Sequence, residues 1–151
     1  MGKKARLIVR KLTTDDAEVV SDLDLKCFGE FDACSSRYFF NVAQSSNWEC
    51  LVAEHDGKVI ACAIAEIDND TAEIGSLAVD PDYRRRGVAT ILLTNLLGAI
   101  VRRGANFVVL EVRPSNTAAI ELYKNFGFQI VEREEDYYWD EDAWIMAREF
   151  S

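Results

Sequence analysis

The chain of 151 residues predicts an α/β fold in which helices flank a mixed, largely antiparallel sheet. Three observations carry that reading. Strand and helix periods follow one another as β-α-α-β-β-β-α-β-α-β-β. Asp56-Gly57, set between two apolar runs, is a strong hairpin signal. A long apolar helix, 87–103, crosses between strands 72–79 and 106–113, which makes those two strands parallel.

In chain order, residues 6–12 alternate Leu7 and Val9 against Ile8 and Arg10, as an opening strand does. Thr13 or Thr14 caps the helix that follows, with Asp15 and Asp16 in the first turn, where the helix dipole favours anions. Its apolar face carries Ala17, Val20, Leu23, Leu25 and Phe28, and Gly29 marks its expected end. Residues 35–44 predict a short second helix, and 49–55 with 58–67 the two strands of the hairpin. Asn69-Asp70 turns the chain into strand 72–79. Asp80-Pro81 ends that strand, because proline has no N–H for the ladder. The helix 87–103 closes on Arg102-Arg103-Gly104, cations and then glycine. Strand 106–113 has apolar residues on both faces (Phe107, Val108, Val109, Leu110, Val112), which predicts central burial. Pro114 stops it, and Ser115 or Asn116 caps a helix that runs to Asn125 and halts at Gly127. Residues 128–132 and 143–149 are the last strands, joined by the aromatic, acidic stretch 136–142. A single domain over 5–150 is expected, with disorder confined to residues 1–4.

Composition narrows the function. A formal net charge of -9 argues against a nucleic-acid binder, whose domain would be basic. No apolar run reaches membrane-spanning length and no signal segment precedes Leu7, so the chain reads as cytoplasmic. The four cysteines lack CxxC spacing and there is one histidine, so no metal centre is expected and the thiols read as reduced.

The most informative stretch is RRRGVA at 84–89, a basic, glycine-bearing turn between a strand and a helix. The first N–H groups of a helix have no intrahelical acceptor, and the dipole adds partial positive charge there. Gly87 lets backbone approach a phosphate, and Arg84, Arg85 and Arg86 add charge. Neither GxxxxGK[ST] nor GxGxxG occurs, which sets aside nucleoside triphosphate and dinucleotide loops. The second block, LEVRPSNTAAIELYKNFGF at 110–128, places a lone carboxylate in a strand and a tyrosine on the next helix. Together the blocks point to acyl transfer from a phosphate-bearing cofactor.

With LAVDPDYRRRGVA at 77–89 and the tail DYYWDEDAWIMARE at 136–149, these residues resemble the GNAT superfamily of N-acetyltransferases. Within it they are similar to the RimI-type ribosomal-protein alanine N-acetyltransferases, most specifically from Ser76 onward. Arg84, Gly87 and Ala89 match the superfamily's cofactor signature [Q/R]xxGx[G/A]. The resemblance implies a GNAT-like sheet whose parallel strand pair splays to hold the cofactor. It implies acetyl-CoA as cosubstrate, held by Arg84, Arg85, Arg86, Gly87, Val88, Ala89, Thr90 and Asn116, and by backbone at Leu77, Ala78 and Val79. The acceptor it implies is a protein or peptide N-terminal amine.

Two residues carry the chemistry. Glu111 sits in a strand read as buried, where desolvation raises a carboxyl's pKa toward a useful base; a structural pair with Arg113 is the alternative. The resemblance implies the base at this glutamate. Asn116, Ile120 and Tyr123 share one helix face over ~10.5 Å. That suits a pantetheine arm ending at a proton-donating Tyr123; a core aromatic beside Phe126 and Phe128 is the alternative. Glu73, on strand 72–79, is a second base candidate, with an exposed surface residue as the alternative; Tyr137, Tyr138 and Trp139 are candidates to line the acceptor pocket, with a partly exposed aromatic hairpin covering the sheet end as the alternative. RimI-type chains carry a Phe-Pro-Trp-like segment after the first helix, where this one has Phe28-Gly29-Glu30-Phe31-Asp32. Glu30, Asp32 and the acidic stretch 132–142 are then expected to draw cationic acceptors by long-range attraction. Small-amine or polyamine acetylation, and a non-catalytic acyl-CoA-binding module, stand as alternatives.

Overall fold

The computed structural model describes residues 6–150. The disorder expected at residues 1–4 lies outside the described residues. Seven strands form one sheet in the order β1-β2-β3-β4-β5-β7-β6. They are β1 (Leu7–Lys11), β2 (Trp48–His55), β3 (Lys58–Asp68), β4 (Thr71–Val79), β5 (Phe107–Val112), β6 (Gln129–Tyr138) and β7 (Glu141–Glu149). Among the described residues only β4 and β5 are parallel, as the crossover helix requires. The helices are α1 (Ala17–Asp32), α2 (Ser36–Ala43), α3 (Val88–Arg102) and α4 (Thr117–Asn125).

Alternate strand residues feed two apolar cores on opposite faces of the sheet. Leu51, Ala53, Ala61, Ala63 and Ala65 pack with Leu92, Leu93, Leu96 and Ile100 of α3 and Tyr123 of α4. The run of alanines lets the leucine-rich helix approach the sheet closely. Cys50, Val52, Cys62 and Ile64 pack with Val20 and Leu23 of α1 and Phe39 and Val42 of α2 on the other face.

Most boundaries follow the sequence pattern, and four readings change. Gly29 kinks α1 through a left-handed φ of 78° without ending it, so one more turn reaches Asp32. Leu25 is exposed, and the buried position beside it belongs to Asp24. Strand β5 is buried on one face alone: Val108, Leu110 and Val112 are covered, while Phe107 is exposed. The stretch 136–142 is mostly strand, because β6 and β7 extend into a long hairpin that turns at its tip.

Candidate active site

The site begins with an irregularity in β4. The β3–β4 register pairs Ile64 with Ser76 but Ala65 with Ile74, leaving Gly75 as an extra residue. Such a bulge reverses which face the following residues point to. Ala72 and Ile74 belong to the α3 core, yet it is Leu77 and Val79 that continue on that side, while Ala78 turns to the α1 core. The bulge also bends the strand away from β5. Their pairing stops at Ile74 and Leu110, although both strands run on. From Gly75 to Val79 one edge of β4 therefore has no strand beside it, and its inward amide N–H groups face an open wedge.

A cleft of about 150 Å³ fills this wedge. It is open to both sides of the sheet: Asp24, Glu111, Arg113 and Tyr138 line it from the α1 side, and Ala119 and Tyr123 from α4. Val108, Leu110 and Val112 point to the α3 side, so the alternation of β5 turns Glu111 to the α1 side. Glu73 sits one diagonal step across the parallel pair, since its register partner is Val109. Burial first, and then hydrogen-bonding and charge from Glu73, push the Glu111 carboxyl up to about 7. Glu73 itself is exposed.

Tyr123 is a core aromatic that also reaches the cleft. It is 6% exposed and packs edge-on against Phe128, yet it lines the cleft. Burial, with a smaller effect of Tyr138, raises its pKa well above the ordinary phenol range, so it stays protonated at neutral pH. Asn116 is the α4 N-cap, accepting the Ala119 N–H at 3.2 Å, and it lines the cleft. Ile120 does not; because Asn116 precedes the first helical turn, Ala119 takes the place expected for Ile120.

At the far end of β4 the chain passes Pro81–Tyr83 and enters α3. Arg85 and Gly87 both take left-handed φ values, 63° and 78°, coiling the loop onto the helix start. No side chain caps α3, and the first intrahelical bond is from Ile91 N–H to the Gly87 carbonyl. The N–H groups of Val88, Ala89 and Thr90 thus have no intrahelical acceptor. A Cβ added at Gly87 would have nothing within 4 Å, so the space in front of this backbone is free for a ligand. The three arginines are not equivalent. Arg84 bonds the Val79 carbonyl through Nε at 3.2 Å, and Arg86 lies over the Tyr83 ring. The cradle fits the phosphates of acetyl-CoA, and the wedge fits its arm.

Several residues of the site had no signal in the sequence. Asp24, 2% exposed, accepts bonds from the Cys34 N–H at 2.7 Å and the Ser76 hydroxyl at 3.1 Å, tying α1 to the bulge. Cys34 also lines the cleft, but burial and the nearby Asp24 push its thiol up to about 11. It is not poised as a thiolate nucleophile. Arg113 does not pair with Glu111. It binds Asp32, Asp140 and Glu141 instead, at 2.7, 2.5 and 3.2 Å. Asp142 is taken by Arg133. Four of the nine carboxylates of the expected acidic funnel are therefore held in ion pairs, by two arginines. Tyr138 lines the cleft, whereas Tyr137 and Trp139 are exposed beside it.

The chain is similar to known acetyltransferases over nearly its whole length. The N-alpha-acetyltransferase daf-31 of Caenorhabditis elegans is 34% identical, over 95% of this chain and 82% of its own length. The [Ribosomal protein bS18]-alanine N-acetyltransferase of Escherichia coli (strain K12) is 43% identical, over 61% of this chain and 65% of its own. The crystal structure of the ribosomal-protein-S18-alanine N-acetyltransferase from Escherichia coli has a TM-score of 0.88 to this fold, at 33% identity, covering 97% of this chain and 95% of that one. That of Ard1 from Thermoplasma volcanium gives 0.87 at 26% identity, covering 96% and 98%. Residues 17–128 match the Acetyltransferase (GNAT) family, and the chain belongs to it.

Proposed function

We propose that this chain transfers an acetyl group from acetyl-CoA to the N-terminal α-amine of a protein or peptide, by direct attack of the amine within a ternary complex. The observation that carries this reading is the placement of Glu111 and Tyr123 on opposite sides of one wedge. Glu111, on the α1 side, removes the proton of the incoming ammonium; a carboxyl near 7 is matched to that task at neutral pH. The backbone N–H groups of Leu77, Ala78 and Val79 that face the wedge stabilise the oxyanion of the tetrahedral intermediate. Tyr123 protonates the departing thiolate from the other side, and the second proton lost by the attacking nitrogen restores the phenol. Arg84 to Thr90 hold the phosphates, and Asn116 flanks the arm. The bound thioester supplies the activated acetyl group. The high thiol pKa of Cys34 supports direct transfer over a covalent acyl-enzyme.

The acceptor reading is supported by the relatives, one named an N-alpha-acetyltransferase and another a [Ribosomal protein bS18]-alanine N-acetyltransferase. Purified protein, acetyl-CoA and three acceptor panels test it: peptides with free N-termini, N-blocked lysine peptides, and polyamines. Turnover on free N-termini is expected. Exclusive turnover of spermidine-like amines would move the acceptor to small molecules, and acetyl-CoA binding without turnover on any panel would make the chain a binding module.

A further inference from the structure

The two most exposed large apolar side chains among the described residues lie together at the acceptor side of the cleft. Phe31 is 72% exposed and Trp139 is 70% exposed, and their ring centroids are 5.0 Å apart. They come from elements far apart in sequence, the last turn of α1 and the tip of the β6–β7 hairpin. A single side chain joins those elements beneath them. The Arg113 guanidinium bonds Asp32, the neighbour of Phe31, and Asp140, the neighbour of Trp139. It also bonds Glu141 and lies over the Tyr138 ring, 4.2 Å from its centroid. Glu141 in turn accepts the N–H and hydroxyl of Ser115, beside the cap of α4.

We infer that Arg113 is a positioning residue for the acceptor, holding Phe31 and Trp139 together as an aromatic lip that packs an apolar side chain at the second position of the peptide. The inference rests on the N-terminal amine reading above. Arg113 touches neither reacting group in this scheme; it acts through the two segments it joins. Its geometry suits the task, because a planar fork binds several carboxylates at once where an ammonium binds as a point charge. Without it, three carboxylates would face one another and the α1 end and hairpin tip would part. The same pairing ties Asp32, Asp140 and Glu141 into bonds with Arg113, so the exposed rings of Phe31 and Trp139 are the surface that the second residue packs against. Aromatic rings offer that surface at little conformational cost.

The test uses the full chain, saturating acetyl-CoA, and three peptides identical except for Gly, Leu or Lys at the second position. Wild type is expected to favour Leu over Gly about tenfold in kcat/KM, the discrimination of a partly buried apolar side chain. Trp139→Ala and Arg113→Gln should each raise KM for the Leu peptide to that of the Gly peptide, leaving the acetyl-CoA Kd unchanged. Arg113→Lys should fall between. Trp139 is exposed, so its variant remains informative if Arg113→Gln does not fold. Preference for Lys over Leu, or an Arg113→Gln protein that keeps wild-type Leu selectivity, would overturn the inference. Absence of turnover by wild type on all three peptides would instead overturn the acceptor reading beneath it.

Discussion

Glu111 is a carboxyl whose surroundings oppose its charge, and the opposition can be read in both stability and rate. Its pKa of about 7 in the folded chain lies above the ordinary 4.5, through burial and then Glu73. A raised carboxyl binds its proton more tightly folded than unfolded. Its contribution is therefore fully present below about pH 4.5 and is lost as pH rises through about 7. Glu111→Gln should thus leave Tm near wild type at pH 4.5 and raise it at pH 8, where wild type holds a disfavoured anion. Thermal unfolding at both pH values checks this; equal Tm differences would remove the strain. The rate should show the opposite side of the same feature. Glu111→Gln should bind acetyl-CoA normally and lose turnover most below the amine's own pKa, ~8 for an α-amino group. Raising pH should recover part of that loss, because more of the amine is then already neutral. A pH–rate profile parallel to wild type would reassign Glu111 to structure and turn attention to Glu73.

Two glycines act at the level of elements, and they act differently. Gly87 begins α3 at φ 78°, where an L side chain is strained whatever the space. Gly87→Val should cost about 1–2 kcal/mol in stability and, by crowding the free N–H groups, weaken acetyl-CoA binding. Gly87→Asn tolerates the left-handed conformation better and separates the two effects: stability near wild type with binding still reduced. Calorimetry on a folded Gly87→Val protein with wild-type affinity would remove the cradle. Gly75 marks the β4 bulge but has no positive φ, and a Cβ there would meet Ile64 and Trp48 at an ordinary 3.6 Å. The bulge is held by register and by the bond from Ser76 to Asp24, not by glycine. Gly75→Ala should therefore leave acetyl-CoA affinity within about twofold, an insignificant change against the 1.4 kcal/mol of a tenfold one; a tenfold loss would show that the bulge does need glycine.

Across the whole molecule, the sheet separates two access routes. The α3 start and α4 serve one face, and α1 with the β6–β7 hairpin serves the other, meeting only in the wedge. Acetyl-CoA and amine can then bind without obstructing each other. Initial-velocity plots against both substrates should intersect; parallel lines would indicate a covalent intermediate and contradict direct transfer. Charge on the acceptor side stays negative, because two arginines hold four carboxylates there and the net value of -9 already counts them. Pairing of Asp32, Asp140, Glu141 and Asp142 with Arg113 and Arg133 should lessen, without abolishing, the attraction of cationic acceptors over the ~8 Å screening length at physiological salt. The kcat/KM for a peptide with Lys near its N-terminus should fall only modestly as ionic strength rises. A steep fall would restore the acidic funnel.

The sequence alone was enough for what depends on local chemistry. Apolar periods, Asp56-Gly57, Asp80-Pro81 and Gly127 act within a few residues, and they placed the elements and the parallel crossover. The cradle was legible because a basic glycine turn before a helix has its consequence in its own backbone. Glu111 and Tyr123 stood out as a carboxylate in an apolar strand and a phenol on a helix, though each kept a structural alternative. Tertiary structure decided what surrounds each of them, because the partners come from elsewhere in the chain. Arg113 turned from Glu111, two residues away, to Asp32 and Asp140, 81 and 27 residues away. The buried Asp24, the Gly75 bulge and the Phe31–Trp139 pair likewise arise from register and packing between distant segments. No periodicity encodes such meetings, since they exist only once loop closure has brought the segments together.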